Sequence, residues 1–152
     1  EGNKTNGYQK KKAGSIKERK NAVIMAHYYV PDEVQEIADY IGDSYYLSDM
    51  ATKVDASVIV LCGVRFMGES AKILNPGKKV LLPDLHADCP MAHMAAIEKI
   101  EEVRKEYPDV AVVCYVNSTA EFKKSFRRLC HLLQRSENCK RTAEPRHLLY
   151  PR

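Results

Sequence analysis

Four short apolar segments are the feature that most constrains the fold of this chain. They are residues 21–27 (NAVIMAH), 57–62 (SVIVLC), 79–82 (KVLL) and 110–116 (VAVVCYV). None of them alternates regularly between apolar and polar residues, a pattern typical of strands that are buried on both faces of a sheet. The segments therefore predict four strands of a parallel sheet.

Helical patterns separate the four segments. They predict a helix from Pro31 to Ile41 that ends at Gly42, a helix capped by Asp43 or Ser44, and helices over about 66–74 and 95–106. The resulting order, β-α-β-α-β-α-β with short connections, requires crossovers on the faces of the sheet. We therefore expect an α/β fold, a three-layer αβα domain with a four-stranded parallel sheet.

Composition and charge divide the chain into three parts. Residues 1–14 are polar and lysine-rich, which predicts a flexible arm, and residues 15–122 form the α/β domain. Residues 123–152 carry nine Lys and Arg against two Glu, a net charge of +7. Since the whole chain has a net charge of +4, residues 1–122 carry −3. Nucleic-acid binding would therefore depend on the tail alone, and we expect no nucleic-acid partner for the domain.

The remaining composition is that of an ordinary globular protein, with 45% apolar and 29% charged residues. No apolar run approaches the length of a membrane span, so we expect no membrane partner. Five cysteines at irregular spacing do not form the pattern of a disulfide framework. These features predict a protein of the reducing cytoplasm.

Polar groups follow the predicted strands at the point where each strand ends. They are His27 and Tyr29, Gly63 and Arg65, residues 84–89, and Tyr115 and Asn117. In open α/β sheets, ligands collect at the carboxyl ends of the strands. We therefore expect these groups to form one site at one rim of the sheet.

Two of the candidate residues have a structural alternative. His27 suits a general acid or base or a ligand-binding donor, but it could equally be satisfied by a backbone carbonyl. Ser44 suits a helix cap, although a helix N-terminus beside Gly42 could also hold a carboxylate or phosphate.

Cys89 differs from the other cysteines because it follows a predicted strand and precedes Pro90, where a loop enters a helix. A thiol at a helix N-terminus is favoured as the thiolate, which attacks carbon or binds metal. Cys62 lies inside a strand-like run, where a thiol behaves as a small apolar group. Because His86 and His93 lie near Cys89, a zinc site is an alternative, weakened by the lack of a second cysteine pair.

Residues 21 to about 121 resemble the N-terminal part of quinolinate synthase, an iron–sulfur enzyme of NAD biosynthesis. The resemblance is carried by AVIMAHYYVPDEVQEIADYIGDS, by VIVLCGVRFMGESAKILNPGKKVLLPDLHADCPMAHM and by YPDVAVVCYVNSTAE. It implies a transferase that condenses iminoaspartate with dihydroxyacetone phosphate to give quinolinate.

The resemblance also implies roles for individual residues. His27 and Tyr29 match residues that contact substrate and assist proton transfer, and Ser44 matches a serine that binds carboxylate or phosphate. Residues 115–117, Tyr115, Val116 and Asn117, match the segment that orients the bound intermediate.

Cys89 matches one of three cysteines that hold an oxygen-sensitive [4Fe–4S] cluster, whose remaining iron acts as a Lewis acid on the substrate. Because the family has three similar domains that each supply one cysteine, two further cysteines are absent from this chain, and we expect it to be inactive alone.

The tail departs from the family pattern. With permitted codon choices and a shifted frame, Phe126 through Arg141 become SEDCVTSSNAVKIVKE, the segment expected in the family. This predicts that residues 123–152 arise from a frameshift and are disordered or irregular. Two alternatives remain: a zinc hydrolase that uses Cys89, His86 and His93, and a basic nucleic-acid-binding module that works through the tail.

Overall fold

In a computed structural model of the chain, the structure describes residues 7–93, 96–108, 112–115, 117–124 and 128–130. The chain divides into two compact units, Glu1–Asp88 and Cys89–Arg152. The first unit contains α1 (Gly7–Lys20), β1 (Ala22–His27), α2 (Asp32–Gln35), β2 (Tyr40–Gly42), α3 (Ser44–Lys53), β3 (Val58–Cys62), α4 (Arg65–Leu74) and β4 (Lys79–Leu81).

The first unit is built on a four-stranded sheet in the order β2-β1-β3-β4, and every pair of neighbours is parallel. This confirms the predicted fold class. Crossovers between parallel strands are right-handed. Since β1 to β2 runs in one direction across the sheet and the two later crossovers run in the other, α2 lies on one face and α3 and α4 lie together on the opposite face. The chain therefore leaves β1 and β3 towards opposite faces.

The core of the first unit joins β1 and β3 to α3 and α4. Four of its large side chains are fully buried: Met25, Leu47, Ile59 and Leu61. The close approach of α4 to the sheet edge depends on Gly68, where an added Cβ would lie 2.7 Å from a methyl carbon of Leu82. The central strands β1 and β3 thus supply the buried side chains, whereas the edge strand β4 has none that is fully buried.

The prediction of a helix from Pro31 to Ile41 is wrong for its second half. The helix ends after one turn, at Gln35, and Tyr40–Gly42 is a strand. Asp39 explains the change, because its N–H donates to the Ile24 carbonyl at 2.8 Å and its Oδ2 accepts from the Ile24 N–H at 2.8 Å. These bonds to β1 replace the hydrogen bonds that a continuing helix would make.

The second unit has its own short elements. They are a 3₁₀ turn (Pro90–His93), α5 (Ile97–Glu106), β5 (Val113–Tyr115), α6 (Ala120–Lys124) and β6 (Arg128–Cys130). β5 pairs with β6 in a separate parallel sheet. The prediction that the apolar run at 110–116 supplies the fourth strand of the main sheet is therefore wrong: the fourth strand is β2, and the described strand of that run, β5, pairs with β6.

The two predicted terminal segments also contain regular structure. Residues 7–14, which lie in the expected flexible arm 1–14, belong to α1, and α1 forms ion pairs of Lys10 with Glu36 and Lys17 with Asp39. In the tail, Arg128–Cys130 is a strand. The remainder of the tail after Lys124 lies outside the described residues, and its frameshift origin stays a prediction.

Candidate active site

The carboxyl ends of β1 and β3 form the topological switch point of the sheet. Ligand crevices in open α/β sheets lie where neighbouring strands send their chains to opposite faces. β1 ends at His27 and β3 ends at Cys62, and the neighbouring strand β2 ends at Gly42, which is paired with His27. The sequence predicts the first-unit part of the site at this edge.

His27 is held in one tautomer by the backbone. The N–H of Tyr29 donates to Nδ1 of His27 at 3.2 Å. Because Nδ1 accepts this bond, the proton of the neutral ring sits on Nε2. Burial lowers the pKa of His27 below its ordinary value, and the nearby carboxylate of Asp43 opposes this shift. The ring is thus neutral at pH 7 and offers one N–H from Nε2.

Two tyrosines pack around His27. The ring centroids of Tyr28 and Tyr29 lie 4.6 and 4.7 Å from that of His27, and 4.8 Å from each other. Tyr29 remains 83% exposed, against 47% for Tyr28. Partial burial and the neighbouring Tyr29 raise the pKa of Tyr28, so its phenol stays protonated at neutral pH. The Tyr29 side chain is therefore accessible to solvent while its ring contacts the imidazole.

Ser44 is the first residue of α3, and Asp43 rather than Ser44 is the helix cap. Oδ1 of Asp43 accepts from the N–H of Tyr46 at 2.7 Å. The capping alternative for Ser44 is thereby settled in favour of its neighbour. The Ser44 hydroxyl stands at the N-terminus of a ten-residue helix, where backbone N–H groups and the helix dipole favour anions.

Gly42 allows β2 to pass directly beneath a tyrosine ring. A Cβ at this position would lie 2.2 Å from Cδ1 of Tyr46, far closer than a side chain permits. The glycine therefore brings the end of β2 and the start of α3 close together. This places the Ser44 helix terminus on the same strand-end edge as His27.

The end of β3 has a structural role in the described part of the chain. Burial raises the pKa of the Cys62 thiol, which makes it an inert apolar group as the sequence predicts. The N–H of Arg65 donates to the Ala87 carbonyl at 2.9 Å, and its guanidinium pairs with Glu69 at 3.1 Å. Arg65 thus anchors the loop that leads away from β4.

Cys89 belongs to the second unit and is half-buried. Its carbonyl accepts from the Ala92 N–H at 2.9 Å, which closes the 3₁₀ turn Pro90–His93. Cys89 therefore precedes a 3₁₀ turn, and the helix predicted over about 95–106 begins at Ile97. Among the residues that the structure describes, no three His, Cys, Asp or Glu side chains form a group that could hold a metal ion. The zinc alternative with His86 and His93 is thus not supported.

The other second-unit candidates lie at and after the end of β5. Tyr115 is the last residue of β5, and Val116 lies outside the described residues. Asn117 is half-buried, and its Oδ1 is buried with no hydrogen-bond partner in the described structure. A buried amide oxygen of this kind needs a donor, which a ligand can supply. That these residues and those of the first unit form one rim stays a prediction.

Sequence analysis missed the residue that fixes the loop after β1. Gln35 donates from Nε2 to the carbonyls of Tyr28 and Val30, at 3.2 and 2.8 Å. In the sequence Gln35 is only a polar position in a helical pattern. No local signal could have identified it, because the contact depends on α2 ending after one turn.

Comparisons with known proteins agree with the resemblance. Residues 11–142 match the family model described as the quinolinate synthetase A protein. Proteins named quinolinate synthase are 60% identical over 108 residues in Fusobacterium nucleatum, 55% over 115 in Caldicellulosiruptor bescii and 46% over 135 in Clostridium perfringens. These alignments cover 71%, 76% and 89% of this chain.

The chain spans only 36%, 38% and 44% of the length of these three relatives. The family match includes the first part of the basic tail. Neither alternative function, a zinc hydrolase or a nucleic-acid-binding module, gains support from the comparisons. Within the described ranges, every helix is too short or too polar to cross a membrane. The chain belongs to the quinolinate synthetase A protein family.

Proposed function

We propose that this chain provides the first part of a quinolinate synthase active site, for condensing iminoaspartate with dihydroxyacetone phosphate. The observation that carries the proposal is the neutral His27, held with its proton on Nε2 at the switch point of the sheet. The sequence identity of 46–60% to proteins named quinolinate synthase supplies the reaction.

In this site His27 acts as a hydrogen-bond donor to a substrate oxygen. Its Nδ1 already accepts from the Tyr29 N–H, so only the Nε2 hydrogen is offered to a ligand. A neutral imidazole that donates to a carbonyl oxygen polarises it towards attack or loss of a neighbouring proton. Tyr29, exposed beside the ring, is the group that exchanges a proton with the substrate.

The N-terminus of α3 binds the anionic part of a substrate. Both substrates carry such groups, since iminoaspartate is a dicarboxylate and dihydroxyacetone phosphate carries a phosphate. Asp43 satisfies the Tyr46 N–H, which leaves the Ser44 hydroxyl to donate to the ligand. In the second unit, Tyr115, Val116 and Asn117 orient the bound intermediate, and the unpartnered Oδ1 of Asn117 accepts a hydrogen bond from it.

Cys89 supplies one of three thiolate ligands to a [4Fe–4S] cluster in this proposal. The described residues do not by themselves fit a complete cluster, because they include no group of three candidate ligands. The chain alone is therefore expected to hold no stoichiometric cluster and to make no quinolinate. Two further cysteines of the family pattern complete the site.

Anaerobic iron–sulfur reconstitution tests the proposal. We would compare this chain with a version whose predicted reading frame is restored to full length, and measure iron content, absorbance and quinolinate formation. We expect a cluster and product only in the restored protein. Cys89→Ser should abolish the cluster there, whereas the matched control Cys62→Ser should keep it, because burial holds the Cys62 thiol protonated.

Three results would count against the proposal. A stoichiometric cluster and quinolinate formation by this chain alone would show that the site does not need the two further cysteines. A cluster that survives Cys89→Ser would remove Cys89 from the ligand set. A restored protein with a cluster but without quinolinate would remove the proposed reaction, and undiminished turnover in His27→Gln would remove the role of the imidazole.

A further inference from the structure

The loop after β1 is fixed by hydrogen bonds through almost all of its backbone. The N–H of Tyr28 donates to the Gly42 carbonyl at 3.3 Å, that of Tyr29 to His27 Nδ1 at 3.2 Å, and that of Val30 to the His27 carbonyl at 3.0 Å. Every N–H from Tyr28 to Val30 is thus paired. The Tyr29 side chain, by contrast, is 83% exposed and contacts the rings of His27 and Tyr28 on one side.

The Gln35 side chain donates hydrogen bonds to two carbonyl groups of the same loop. Its Nε2 donates to the carbonyl of Tyr28 at 3.2 Å and to that of Val30 at 2.8 Å. A carboxamide nitrogen carries two hydrogens, so both of its donors are used on the residues that flank Tyr29. Gln35 is itself half-buried at the end of α2, and its N–H donates to the Pro31 carbonyl at 3.2 Å.

One of these bonds reaches His27 through a single peptide group. The carbonyl of Tyr28 and the N–H of Tyr29 belong to the same planar peptide unit. Gln35 holds the oxygen of that plane, and His27 Nδ1 accepts from its hydrogen. Gln35 therefore contacts the same peptide group that carries the donor to His27.

We propose that Gln35 is a positioning residue of this site, which fixes the Nε2–H tautomer of His27 and the place of Tyr29. The importance of Gln35 for catalysis rests on the proposed function of His27 and Tyr29. The effect of Gln35 on the His27 tautomer does not rest on it, because the tautomer can be measured in the chain without substrate. The two proposals can therefore fail separately.

The test is a long-range ¹H–¹⁵N spectrum of ¹⁵N-labelled full chain at pH 8, where His27 is neutral. The unsubstituted chain should show the Nε2–H tautomer of His27. Gln35→Leu removes both donors, and Gln35→Glu keeps the reach of the side chain but offers acceptors in place of donors. In either variant the ratio of Nε2–H to Nδ1–H should fall about fivefold, as expected for the loss of one oriented hydrogen bond.

Gln9→Leu, at an exposed glutamine of α1, is the matched control and should leave the ratio unchanged. A merely structural role for Gln35 would lower stability without moving the tautomer ratio of the folded variant, and that result would overturn the proposal. If both variants unfold, hydrogen exchange of the Gln35 carboxamide in the unsubstituted chain tests the proposal instead. Its Gln35 carboxamide protons should exchange with D₂O at least tenfold more slowly than those of an unstructured glutamine peptide, and equal rates would also overturn the proposal.

Loss of quinolinate formation is a separate readout. A Gln35→Glu change in the restored protein that shifts the His27 tautomer should also lower turnover. A shifted tautomer with unchanged turnover would leave Gln35 as the residue that orients the imidazole and would count against the proposed catalytic use of His27. The spectrum thus reports on the His27 tautomer, and the activity assay reports on its use in catalysis.

Discussion

Asp43 is predicted to have two effects, one on the stability of α3 and one on the pKa of His27, and two substitutions can separate them. Its Oδ1 caps α3 by accepting from the Tyr46 N–H at 2.7 Å, and its charge raises the pKa of His27 against the effect of burial. Asp43→Asn keeps a capping oxygen but removes the charge. Asp43→Ala removes both.

The expected stability changes follow from the cap. Loss of an N-cap side chain costs about 1 kcal/mol, and loss of a negative charge at a helix N-terminus costs about 0.3–1 kcal/mol. Asp43→Ala should therefore lower the free energy of unfolding by about 1–2 kcal/mol, and Asp43→Asn by less than about 1 kcal/mol. With a urea m-value of about 2 kcal/mol/M, the alanine variant loses about 0.5–1 M in its midpoint.

The expected pKa change has a different pattern. Both substitutions remove the charge that stabilises the imidazolium, so both should lower the pKa of His27 further. The measurement is an NMR titration of the His27 Cε1–H beside urea unfolding. Asp49→Asn is the matched control, since Asp49 is a carboxylate of the same helix that pairs with Lys53. It should leave the His27 pKa unchanged.

Two results would refute this reasoning. Equal destabilisation by Asp43→Asn and Asp43→Ala would mean that the capping hydrogen bond does not stabilise α3. An unchanged or raised His27 pKa in both variants would mean that the imidazole does not sense the Asp43 charge.

Three further predictions concern the core and the strand-end edge. Met25→Ala should lower the free energy of unfolding by about 2–5 kcal/mol, because it opens a cavity in a fully buried site, and an unchanged urea midpoint would contradict this. Gly42→Ala should cost about 1–3 kcal/mol and alter the near-UV circular dichroism, since the new Cβ displaces the Tyr46 ring; an unaltered spectrum would show that the ring has room. Burial lowers the pKa of His27 in the folded chain below its ordinary value of about 6.5. The stability that the neutral imidazole contributes should therefore be complete above about pH 6.5 and be lost as the pH falls through the lowered folded-state pKa. Urea midpoints between pH 8 and 5 test this, and His27→Gln should flatten the profile; an equal slope in both proteins would assign the acid loss to other groups.

The sequence predicted the strands whose apolar runs are continuous. β1, β3 and β4 all lie where such runs occur, and the polar groups after β1 lie at the strand-end edge. These features depend on local composition and on the right-handed crossover rule, which hold for any parallel sheet. The same reasoning predicts His27 at a strand end, but not the hydrogen bond that its Nδ1 accepts from the Tyr29 N–H.

The sequence could not predict β2 or the division into two units. The spacing of Val34, Ile37 and Ile41 is helical, and only the contact of Asp39 with Ile24, fifteen residues away, makes the chain extended there. The apolar run that contains β5 predicts a strand but does not specify its partner, and β5 pairs with β6 in a separate sheet. Tertiary hydrogen bonds thus overrode a correct local pattern.

The attachment of α1 has a consequence for the order in which this chain opens. None of its residues is buried, and its ion pairs to the first unit join Lys10 to Glu36 at 2.9 Å and Lys17 to Asp39 at 2.6 Å. At 1 M salt the screening length falls to about 3 Å, which weakens such exposed pairs. Hydrogen exchange in α1 should therefore accelerate with salt while β1, buried in the sheet, keeps its protection. Ionic strength thus sets the local stability of α1 separately from that of the core.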